Sequence, residues 1–313
     1  MSGSLGAQDS IVEKSDAIQQ LDKEIRALEK DVEGIQVSYQ SALYDDKTNM
    51  VTLDDVVVFL PEDEVEIKDK KKERMMIFMD EVNYTYSPEI NTVNDIPEFS
   101  GVKVSGLSAD ISSLIGKDIS DDNKALIAVL AGDNHILNMN FSGKQTLDKE
   151  RGVVNIETNG DVSDFGMAKM SFSVSGLFEK DLKITDNLND VITVFEYVTL
   201  DNVKFHAHTS DFTDLVTRYG AAYGSTLEYM KKDLQTKSSK MLRKEDKSRA
   251  DAIYADMVST FYVALNEDKQ IHFDLDVGKS FSIISVALLM GMGDPSVNTI
   301  LESFDITVDF KAK

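Results

Sequence analysis

The 313-residue chain contains no cysteine. Disulfides, thiolate-held metals and cysteine nucleophiles are excluded together. Tryptophan is absent too, so smaller aromatic, aliphatic and methionine side chains must fill the core. No apolar run reaches the ~20 residues that a membrane-crossing helix needs. The longest, Phe281 to Met292, has the length of a buried core segment. Basic charge is scarce: 33 Lys and Arg face 55 Asp and Glu, a formal net charge of −22. Such a surface does not release counterions from nucleic acid and is repelled by anionic membrane, so neither is an expected partner. Phosphate loops and nucleophile elbows are missing as well; Gly291-Met-Gly293 lacks a third glycine and no Walker lysine follows. The acidic stretch Asp118 to Asp122 lacks the glycine and terminal glutamate of a calcium loop. No catalytic residue and no cofactor is expected.

What is present starts with a heptad. Residues 1–9 read as an appended, unordered leader; if it replaces a native N-terminus, a targeting or anchoring segment would have been removed there. Ser10-Ile-Val-Glu13 has the form of a capping box. Ile11, Ile18, Ile25, Val32 and Tyr39 then recur every seven residues, with Leu21, Leu28, Ile35 and Ala42 on a second track. This predicts one long coiled-coil-type helix over 10–44. Asp22, Glu24, Glu29 and Asp31 flank the seam, and a parallel homodimer would set these like charges against one another.

From Met50 the period drops to two. Alternation predicts strands at 51–60, 75–86, 136–146 and 153–158, with a closing strand around Met170, Phe172 and Val174, and others around Ile271 to Val277 and Phe304 to Phe310. Val102 to Ile115 and Val203 to Val216 align without a gap, each changing from alternation to i, i+3, i+4 spacing as a strand running into a helix would. Ser108 and Thr209 are the expected caps. Gly160-Asp-Val-Ser163 and Gly293-Asp-Pro-Ser296 extend the parallel. The predicted fold class is α+β: antiparallel amphipathic sheet covered by helices, in two related βααβ-type halves, behind the long N-terminal helix. The divisions are 45–98 for a strand and hairpin region, 99–185 for the first half and 186–313 for the second, with a helical insertion at 218–249. Strand openings Leu53-Asp-Asp-Val56 and Leu200-Asp-Asn-Val203, on amphipathic strands, resemble those of repeat-built bacterial envelope proteins of the AsmA-like kind. That resemblance assigns no individual residue.

The insertion is basic: Lys231 to Arg249 holds eight Lys or Arg against three acids, a net of +5. Its heptad track (Leu227, Leu234, Met241), expected to be capped by Ser225, complements the acidic N-terminal helix in charge. The two are expected to pair as an antiparallel arm, the apolar seam supplying most of the stability.

No metal site is assigned. The nearest approach to one is His206 and His208, two apart on a strand and so on one face, with Asp211 or Asp214 as a carboxylate. His135 and His272 read as strand-edge residues. The expected function is non-enzymatic binding or scaffolding in the bacterial cell envelope, through a helical arm and sheet faces, with a protein partner. The alternative is a carrier holding a lipid or other apolar ligand between helices and a curved sheet, suggested by methionines such as Met139, Met167 and Met170 on or beside strands. An unrecognised enzyme is third. The periplasm or envelope is expected ahead of the cytoplasm.

Overall fold

In the computed structural model the described residues are 15–60, 75–86, 96–111, 120, 127, 129–131, 135–176, 198–242, 248–282, 285 and 296–313. Among them 46% lie in strands and 33% in helices. The strands are β1 (Gln36–Ser38), β2 (Ser41–Asp45), β3 (Met50–Phe59), β4 (Met76–Thr85), β5 (Phe99–Asp110) and β6 (Ile136–Asp148), then β7 (Val153–Val162), β8 (Gly166–Ser175), β9 (Thr199–Thr209), β10 (Ile271–Val277), β11 (Phe281–Ser282) and β12 (Ile306–Ala312). All twelve join one antiparallel sheet in the order β1-β3-β4-β5-β6-β7-β8-β9-β10-β12, with β2 also on β3 and β11 also on β9. From β3 to β10 each long strand pairs with its neighbour in sequence.

This corrects the expected fold class. One extended sheet dominates, where a helix-covered α+β fold of two βααβ halves behind a long helix was predicted. Helix α1 (Asp16–Asp31) seats against β1 to β4, and helical residues Ile127 and Ala131 pack with Ile77, Ala109 and Leu137 of β4, β5 and β6. Helices α2 (Phe212–Ala222), α3 (Leu227–Leu242) and α4 (Arg249–Glu267) lie toward β9, β10 and β12, with α5 (Val297–Ser303) beside them. The closing landmarks of the two halves are also unlike. Gly160 lies inside β7, whereas Ser296 caps α5.

The N-terminal helix is half as long as its heptads imply. It begins after the Ser15 cap and ends before Gly34, which takes φ 89°. The chain then turns back, so that Val37 N–H donates to Glu29 Oε1 at 2.9 Å and Tyr39 Oη donates to Asp22 Oδ1 at 2.5 Å. Heptad residues Tyr39 and Ala42 therefore leave the helix yet pack in the same cluster as Ala17, Ile18 and Leu21, over Val51, Leu53 and Val56. Burial of that face against the sheet outweighs local helix propensity. Nor does α1 meet α3. Leu227 and Leu234 of α3 pack with Phe212, Ala264 and Leu265, and Ser238 meets Ser259 of α4 at 3.1 Å, so the expected acidic–basic arm does not form. Thr226, not Ser225, caps α3 through the Tyr229 N–H. Asp211, not Thr209, caps α2, and β5 runs on through Ser108 to Asp110.

Left-handed residues adjust the phase of three strands. Asp55 (φ 50°), Gly106 (φ 63°) and Asn202 (φ 53°) each interrupt a strand just before an apolar residue. On β5, Val104 and Leu107 are three apart but face Phe141 and Met139, which are two apart on β6. On β9, Asp201 and Lys204 likewise face Ser173 and Ser171. At Gly106 and Asn202 the extra residue is a bulge that returns the next apolar side chain to the same face. At Asp55 the β3–β4 register does not shift, and Leu53 and Val56, three apart, both stay in the core. The shared Leu-Asp-x-Val openings thus have a physical meaning: x is Asp or Asn, the non-glycine residues that best tolerate positive φ.

Two predictions follow from this packing. At Gly106 an added Cβ would lie 1.9 Å from Asp80 Oδ2, whereas at Gly160 nothing lies within 4 Å. Gly106→Ala is expected to lower unfolding free energy by about 1–3 kcal/mol in urea titrations, and Gly160→Ala to leave it unchanged or raise it by up to ~1 kcal/mol. Burial first, then the Asp22 hydrogen bond, pushes the Tyr39 phenol up to about 12. An unfolded tyrosine ionises near 10, so this contribution is complete below pH 10 and is lost as pH rises from 10 to about 12. Alkaline melting curves of the Tyr39→Phe protein should lack that loss.

Candidate functional site

Because directly paired residues of an antiparallel sheet share a face, the register assigns every strand position to one of two surfaces. Leu53 pairs with Val82, Val82 with Val104, Val104 with Phe141 and Phe141 with Gly160. The row continues through Ala168, Ala207, Phe273 and Phe310. Nine strands contribute to it and no position is polar. Ala17 and Ile18 of α1 cover the row at Leu53, and Phe261 of α4 reaches Phe310 at 6.1 Å between ring centroids. Between these ends the side chains from Val82 to Ala207 are half-buried. The row also thins there to Gly160, Ala168 and Ala207, with open space above Gly160 and Phe141 and Phe273 on either side.

The adjacent row, on the opposite face, is its polar counterpart. Thr52, Asn83, Lys103, Ser142, Asn159, Lys169, His206, Asp274 and Asp309 succeed one another across the same nine strands. Thr52 Oγ1 donates to Asn83 Oδ1 at 2.6 Å, and Lys169 reaches Glu157 at 3.7 Å.

On this face β9 and β10 place three imidazoles together. Alternation along β9 sends Phe205 and Ala207 to the apolar side and His206 and His208 to the polar side. Along β10, Ile271 is buried in the core, so His272 and Asp274 face away from it. The register sets His272 opposite His208 and Asp274 opposite His206. The His208 and His272 rings stack at 5.3 Å and 20°, and His206 lies 6.1 Å and 5.9 Å from them. One nitrogen of each ring lies within 4.8 Å of the other two. Three of the chain's four histidines thus converge.

Their hydrogen bonding is asymmetric. His206 Nδ1 is 2.5 Å from Asp274 Oδ1. The buried Nδ1 atoms of His208 and His272 have no partner, a state that costs about 1–3 kcal/mol per group. The His206 hydrogen bond holds the Asp274 carboxyl below the usual carboxylate range, and burial pushes the His272 imidazole down. Lys311 is paired with Asp309 and lies 3.8 Å from Asp274.

Of the residues singled out in the sequence, His206 and His208 belong to the cluster and Asp211 does not. Asp211 accepts the Asp214 N–H as the cap of α2, and Asp214 pairs with Arg218 at 2.7 Å. His135 precedes β6 at φ 56°. His272, expected to be only a strand-edge residue, and Asp274, not singled out, join the cluster; the alternation of Ile271, Phe273 and Leu275 already turned both to the other face. The missing information was that β10 is the neighbour of β9.

Fold and site together define an antiparallel-sheet protein whose central rows are apolar on the helix-bearing side and polar on the other. No protein-family model matches the chain, and no curated protein matches it significantly. Among the described residues no helix is long and apolar enough to cross a membrane.

With Asp274 accepting from Nδ1–H, neutral His206 leaves Nε2 unprotonated. Nitrogen-15 imidazole spectra at pH 8 should report the Nδ1–H tautomer for His206 in the wild type. In Asp274→Ala the common Nε2–H form should return.

Proposed function

We propose that the protein is a non-enzymatic binding protein that carries an apolar ligand, such as a lipid acyl chain, along the helix-bearing face of its sheet. The supporting observation is the apolar row with its small-residue centre: Gly160, Ala168 and Ala207 set between Phe141 and Phe273, half-buried, with room above Gly160. A core built only for stability would fill that centre with large side chains, because unfilled apolar space forfeits contacts. A small-residue floor between aromatic walls suits a narrow hydrocarbon. This favours the carrier over a scaffold built on a helical arm, since α1 and α3 pack on different parts of the structure.

Native mass spectrometry of freshly purified protein tests the reading. Lipid of one chemical class should co-purify, and Gly160→Phe, which projects a ring into the open space over the sheet, should remove at least nine-tenths of it while melting within a few degrees of wild type. An apo mass, together with no uptake of a fluorescent fatty acid, would return the protein to the scaffold reading.

A further inference from the structure

We propose that His206, His208 and His272 bind one divalent first-row transition ion of the zinc type, with Asp274 orienting His206. The site lies on the polar face and is independent of the apolar-ligand reading. Imidazole nitrogen suits zinc, copper(II) and nickel, whereas magnesium and calcium prefer oxygen. In a tetrahedral zinc site, ligand nitrogens about 2.0–2.1 Å from the metal stand roughly 3.4 Å from one another. The three imidazole nitrogens here lie within 4.8 Å, a gap that small rotations of exposed-face rings close.

Three features argue for an ion and against a chance gathering of rings. The unpartnered Nδ1 atoms of His208 and His272 are buried donors or acceptors that coordination, directly or by releasing the ring to turn, would satisfy. The 2.5 Å contact of Asp274 with His206 Nδ1 is the carboxylate–histidine pairing that fixes a ligating ring and raises its basicity, leaving Nε2 for the metal. Of the neighbouring cations, Lys169 pairs with Glu157, and Lys311 pairs with Asp309 and lies 3.8 Å from the outer oxygen of Asp274. Both rigid strands are inner strands of the sheet, so ligand spacing is held by backbone hydrogen bonds from either side. Three protein ligands leave a fourth position open to water or to an anionic group.

The test is isothermal calorimetry of the untagged full chain with Zn²⁺ alone, alongside thermal melts. Saturable binding of one Zn²⁺ per chain is expected, with a metal-dependent rise in melting temperature. His208→Gln and His272→Gln should each weaken binding at least tenfold and abolish the rise. Asp274→Asn, which keeps all three imidazoles, should weaken it about 10- to 100-fold, and His135→Gln should change nothing. Cobalt(II) should give a visible absorption band that His272→Gln loses. Absence of saturable binding overturns the proposal. So does binding that His208→Gln, His272→Gln and Asp274→Asn leave intact, which would place the ion on the acidic surface.

Discussion

Register governs this molecule. Side chains alternate across a strand with a period of two, so a slip of one residue anywhere in the sheet would exchange its apolar and polar surfaces from that strand onward. Across nine strands no such exchange occurs between Leu53 and Phe310. Where the sequence itself shifts phase, a left-handed residue restores it: Asp55, Gly106 and Asn202 each return the next apolar residue to the buried side. Those positive φ angles are the local cost of keeping one face continuous.

Energetics divide along the same line. The apolar face carries the buried contacts, with Val51 fully buried beneath α1 and the Phe212 and Phe261 rings of α2 and α4 grouped with Phe273 and Phe310 of the sheet. Exposed ion pairs on the other face, such as Lys144 with Glu157 at 3.1 Å, contribute little each. The polar face is therefore free to carry groups chosen for chemistry.

Much of the secondary structure is legible locally. Strand β3 is visible in Val51, Leu53, Val56 and Val58, and α4 in Ile253, Met257, Val258 and Phe261, because period two and period 3.6 are properties of consecutive residues. The heptad of residues 11–42 was misleading for a physical reason. Apolar residues spaced by seven bury equally well in a helix or in a helix followed by a reversal, and Gly34 together with strand pairing to β3 selects the second. Charge complementarity between α1 and α3 was likewise real and without consequence, since surface attraction of that size cannot outweigh the apolar contacts that seat each helix elsewhere.

The sequence alone determined most of the strands from their alternation, which side chains share a face within each of them, and that cysteine chemistry plays no part. His206 and His208 lie on one face of one strand, and two-residue spacing is enough to say so. Tertiary structure decided which strands are neighbours, and hence that Asp274, 68 positions away, would meet His206 and that His272 would stack on His208. Alternation tells each strand which side to bury, but only the sum of register choices across the whole sheet tells it whom to lie beside.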